Sequence, residues 1–162
     1  MRLIAAAIVG GFLGFTSPEG HSTEALLHST AYGFSVAAPD FPRQNDAGTS
    51  VTPIIFSGPL HDGKTPSCNV QIQNLGWSLS EFRTQSLGQL KTLGLALESE
   101  TPRKVSGKDA LLFVSSGHDV KILTLAVPVE RSMYVVTCLA TADQFGTYEK
   151  AFRGVIDSFS LD

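Results

Sequence analysis

The sequence predicts an α+β domain in which an antiparallel β-sheet is sandwiched between helices, an α/β/α sandwich. Three observations carry this expectation. The runs 109–116, 120–129 and 132–140 are rich in β-branched and aromatic residues and are separated by short turns, the pattern of an antiparallel meander. Those runs are apolar on both faces, so both faces need cover. Two helical stretches, one after Ser78 and one from about Asp143 to Asp157, supply that cover.

The elements follow in order. "AYGFSVAAP", 31–39, alternates with Tyr32, Phe34 and Val36 on one side, and Pro39 stops it. Residues 40–50 are loop by composition. "VTPIIFSG", 51–58, is a strand that Pro53 marks as an edge or a bulge. "CNVQIQN", 68–74, alternates strictly: Cys68, Val70 and Ile72 form one face, and Asn69, Gln71 and Gln73 the other, which is expected to be wet or lightly covered.

Ser78-Leu79-Ser80-Glu81 is a capping box, with Trp77 before the cap and Phe82 at the fourth helical position as a hydrophobic staple. Gly76 turns the chain into the helix. Leu79, Phe82, Leu87, Leu90 and Leu93 recur at near-helical spacing until Gly94. Residues 95–105 read as a strand with a polar outer face and lead into the meander. In the last helix Phe145, Tyr148, Phe152, Val155 and Ile156 step by three and four, and Thr141-Ala142-Asp143-Gln144 is a weaker capping box. The sum is roughly seven strands and two helices.

Composition bounds the function. Of 162 residues, 43% are hydrophobic and 17% charged, enough for one domain with a core. The net charge of −3, with scattered Lys and Arg, leaves no basic patch for nucleic acid. Residues 1–16 read as a signal peptide: Arg2 precedes the apolar run Leu3–Phe15, and Gly14-Phe15-Thr16 supplies small residues around a break before Ser17, without a clean A-x-A. That run would span about 20 Å as a helix, short of a bilayer core of roughly 30 Å, so no stable membrane anchor is expected. Residues 17–30 read as a flexible lead-in and 31–162 as a single domain, exported to the periplasm or secreted. Cys68 and Cys138 are either one disulfide, permitted by export, or two buried thiols.

The stretch 30–160 resembles the superfamily of the photosystem II extrinsic protein PsbP, the bacterial envelope protein DcrB and the eukaryotic Mog-type Ran-binding proteins. The resemblance rests on "YGFSVAAP", "SLSEF" after a strand, "VSGKDALLF", "MYVVTC" and the closing Phe152, Val155, Ser158 and Phe159. It implies an α/β/α sandwich and a largely non-enzymatic role in docking, assembly or adaptation. It carries over no functional residues. The lipid-anchoring Cys of several envelope members is absent.

Chemistry-bearing residues give little. His21 and His28 lack a completing metal ligand, so neither metal nor cofactor is expected. Ser115, Ser116, His118 and Asp119 crowd one hairpin, where neighbours point apart rather than form a triad. Asn69, Gln71, Gln73 and Trp77 place amides beside an aromatic and are the candidate partner or ligand surface. The expectation is an exported, non-enzymatic accessory or binding module contacting another envelope or secreted protein. A small-ligand or ion carrier is the alternative, and a small hydrolase at the 115–119 hairpin comes last.

Overall fold

The structure is a computed structural model, and it describes residues 26–41 and 51–162. The signal-peptide segment 1–16, the lead-in residues 17–25 with His21, and most of the loop 40–50 lie outside the described residues.

The fold is α+β, with two helices and antiparallel sheets among the described residues. The larger sheet has six strands: β3 (Ile54–Ser57), β4 (Ser67–Gln73), β5 (Ala96–Val105), β6 (Lys108–Gly117), β7 (Val120–Val129) and β8 (Ser132–Thr141). Their spatial order is β3-β4-β8-β7-β6-β5. β5 to β8 are the expected meander with one strand added. Ser106-Gly107 and His118-Asp119 all have positive φ, the type I′ conformation whose twist matches paired strands. β5 is an edge strand, kept from further pairing by Pro102, by charged residues and by a register shift between Leu97 and Ser99. β4 joins at the far side of β8, a pairing between segments about 70 residues apart.

Three short strands were not legible as a sheet. β1 (Leu26–Ser29), β2 (Phe34–Ala37) and β9 (Ser160–Leu161) form a second sheet in the order β1-β2-β9. The lead-in reading of 17–30 therefore fails for residues 26–29, where Leu27 pairs with Val36 and packs against the core. A four-residue strand beside Ser and Thr carries too little alternation to stand out from loop.

α1 (Leu79–Thr92) starts with the expected box: the Glu81 amide donates to the Ser78 hydroxyl, and the Glu81 carboxylate accepts from the Ser78 amide at 2.8 Å. It ends in a Schellman motif, with Gly94 at φ +67, the Leu95 amide on the Leu90 carbonyl and the Gly94 amide on the Lys91 carbonyl. α2 (Ala142–Ser158) begins one residue earlier than the spacing suggests, and its Thr141 N-cap makes no side-chain capping bond, so the second box is absent.

Two cores result. Phe145, Phe152, Val155 and Ile156 of α2 pack with Phe34, Cys68, Val70, Leu125, Val136 and Cys138. Phe82 of α1 packs with Leu111, Phe113, Ala126, Met133 and Val135. The two sets alternate along β6, β7 and β8, as the period of a strand requires.

Candidate functional site

Register places the candidate residues. Asn69, Gln71 and Gln73 of β4 stand opposite Thr137, Val135 and Met133 of β8, so they share a face with the Phe82 core. One row runs from Phe113 through Thr124 and Thr137 to Asn69 and on to Ile55. Three adjacent strands therefore present polar side chains in line, beside a helix.

This face is not wet. Asn69 is 6% and Gln71 7% exposed, which corrects the expectation of a solvated or lightly covered strand face. Alternation separates two faces but does not say what lies over each. Gln73 and Trp77 remain half-buried, at the end of β4 next to Met133, where Trp77 and Leu75 pack against the Phe82 core. The Gly76 amide donates to the Arg131 carbonyl at 2.9 Å, and Ser132 donates to the Asn74 side chain at 2.7 Å, tying this corner to the β7–β8 turn.

Inside the face the hydrogen bonding is incomplete. Gln73 Nε2 donates to Gln71 Oε1 at 3.2 Å. Asn69 Oδ1 is buried with no partner among the described groups, and so are Ser86 Oγ and Gln89 Oε1 of α1. Unpartnered buried polar atoms are rare and costly, and each needs an explanation. Ser86 and Gln89 were missed from sequence. Ser86 follows Phe82 by one helical turn, so a polar residue at core-facing spacing was the available signal. The leucine periodicity pointed elsewhere: within α1 only Phe82 and Ser86 are fully buried, and Leu93 is exposed.

Cys68 and Cys138 form a disulfide, directly opposed across β4 and β8 and wholly buried. Two charged pairs fasten the edge strand to both helices. Arg83 of α1 meets Glu100 at 2.7 Å, and Arg103 meets Asp157 of α2 at 2.7 Å. The Tyr134 hydroxyl donates to the Tyr32 carbonyl at 2.8 Å, and burial, followed by nearby Asp162 and Glu130, raises its pKa.

The hairpin at 115–119 is built as a turn. Ser116 donates to Glu98 at 2.6 Å, and the His118 ring lies against Gly94. Lys121, then Ser116, hold Glu98 below its ordinary pKa. A cleft of about 390 Å³ lies beside this turn, lined by His61, Asp62, Lys64, Asp119 and Asp143 among others. Among the described residues no group of three or more His, Cys, Asp or Glu is placed to hold a metal ion. His28 sits in β1 with its Nδ1 2.9 Å from Ser35 Oγ. No described helix is long and apolar enough to cross a membrane.

No family model and no curated protein matches the sequence. Solved structures do. The chain is similar to the solution structure of cyanobacterial PsbP (CyanoP) from Synechocystis sp. PCC 6803, with a TM-score of 0.65 at 15% identity, covering 93% of this chain and 99% of that one. The fold is PsbP-like. The PsbP-like fold also relates the chain to PA94, a protein of unknown function from Pseudomonas aeruginosa, with a TM-score of 0.59 at 14% identity over 85% of this chain and 96% of that one. It extends to LpqN, involved in cell envelope biogenesis of Mycobacterium tuberculosis, with a TM-score of 0.56 at 17% identity over 88% of this chain and 92% of that one. At these identities the likeness concerns the PsbP-like fold alone.

Proposed function

We infer that this protein is an exported, non-enzymatic accessory module that docks on another protein of the cell envelope or the secreted space. The observation that carries the reading is the PsbP-like fold over nearly the whole chain, shared with LpqN, a protein of envelope biogenesis. The apolar run before Ser17 supports export. The alternation of the two cores supports an α/β/α sandwich with α1 and α2 on opposite faces. A covered sheet leaves corners and helix surfaces as the docking surface. The corner of Gln73 and Trp77 is the part of the amide face that a partner can reach, and half-exposed tryptophan is a common anchor of protein interfaces.

The test is capture of the tagged protein from crosslinked native envelopes, read by quantitative mass spectrometry. The expected result is one co-purifying protein at near-equal amount, lost with Trp77→Ala and weakened with Gln73→Ala. Recovery of the tagged chain alone, or a partner retained by both variants, removes the reading at this corner.

A further inference from the structure

We propose that α2 seals the Cys68–Cys138 disulfide, so that a disulfide donor can reach these cysteines only while α2 is off the sheet. Phe56, Cys68, Cys138 and Leu123 stand in one row across β3, β4, β8 and β7, and each of them is wholly buried. Along that row the bond is flanked by Phe56 on one side and Leu123 on the other. Over it lies α2. The Phe152 carbonyl oxygen is 4.0 Å from Cys138 Sγ, and Phe145, Phe152, Val155 and Ile156 share one core with both cysteines. The sequence holds two cysteines in all, so no third thiol can attack the bond from within the chain.

Disulfide exchange needs contact. A thiolate must touch the sulfur it attacks, and the step passes through a mixed disulfide. To make this bond, one cysteine thiolate attacks the donor's disulfide and expels one donor sulfur. The second cysteine thiolate then attacks the first cysteine's sulfur and expels the other donor sulfur. The donor leaves as a dithiol carrying the two electrons and the two protons, and the chain keeps the new bond. In between, the donor hangs on Cys68 or Cys138, where the buried row and α2 leave no room for it. Reduction by a thiol runs through the same stage in reverse and meets the same obstruction. In both directions α2 must first come away, by local opening or by unfolding. Once α2 is docked, the pair is a staple closed to exchange rather than a redox switch.

The test is the rate of reduction of the oxidised full chain by dithiothreitol, measured on the folded protein and, in parallel, on the protein unfolded in urea. Thiols are trapped at intervals and counted by mass spectrometry. Dithiothreitol is smaller than any protein donor, so a bond closed to it is closed to such donors as well. The folded chain is expected to be reduced at least about 100-fold more slowly than the unfolded one. Phe152→Ala and, separately, Val155→Ala loosen α2 and should each raise the folded-state rate roughly tenfold or more, with the unfolded-state rate unchanged. A smaller protection of the wild-type chain overturns the proposal, and so does a folded-state rate that a folded variant leaves unchanged. Val155→Ala keeps the test decisive if the Phe152 variant fails to fold.

Discussion

Cys68 and Cys138 face each other across β4 and β8 with their Cα atoms 4.0 Å apart, and the bond between them sits wholly inside the α2 core. It joins the strand that enters the sheet from outside the meander to the strand that receives it. In the unfolded chain the same bond closes a loop of about 70 residues, worth on the order of 4 kcal/mol in the chain-entropy account. Reduction of the wild-type protein should therefore lower its stability by about that amount without changing core volume. Urea unfolding with and without reductant measures it, and coincident curves would show that the unfolded chain gains nothing from the link.

The capping box gives a second expectation. Ser78→Ala removes the acceptor of the Glu81 amide and should cost about 1 kcal/mol. The Glu81 carboxylate is held below its ordinary pKa of 4.5, first by the Ser78 backbone amide and then by its hydroxyl. A depressed folded-state value means that the contribution is complete above the unfolded pKa and is lost as pH falls through the lower folded one. Glu81→Gln keeps a capping side chain without the charge. Its stability should depend less steeply on acid below 4.5 than that of wild type, measured by thermal unfolding across that range.

Gly94 and Gly76 separate two costs that are usually mixed. Both lie in the left-handed region. A methyl group at Gly76 meets open space, whereas at Gly94 it runs into the His118 ring. Gly76→Ala should cost about 1–2 kcal/mol from backbone conformation alone. Gly94→Ala should cost more, and His118→Ala in the same chain should restore the difference. A double-mutant cycle reads this coupling, and additivity of the two changes would place the His118 ring elsewhere.

Phe152 is fully buried and lies within 6.4 Å of the rings of Phe41, Phe145 and Tyr148. Phe152→Ala should destabilise by about 3–5 kcal/mol, through lost burial and the cavity left among rings that cannot close on it. Denaturant unfolding checks the figure. A loss below about 1 kcal/mol would mean that α2 can settle into the gap.

These tests also show what local sequence conveys. The start of α1 was readable because Ser78, Glu81, Trp77 and Phe82 carry their signal within a few residues. The meander was readable because its turns are short and its strands long. The opposition of Cys68 to Cys138 was not, because alternation gives a residue its face but not its register against a distant strand. The burial of Asn69 and Gln71 escaped for the related reason that cover is tertiary. The short strands β1 and β9 exist through their partners, and without β2 neither has a pattern to detect.

β2 is the middle strand of the small sheet, and it holds Phe34 opposite Leu161 and against Phe159. A strand near residue 34 is thus completed by one near residue 161. Phe34 and Val36 share one core with Phe145, Phe152 and Phe159, so their cover is complete only when α2 and the segment after it are in place. The domain closes like a ring, and the residues around Phe159 to Leu161 act as its clasp.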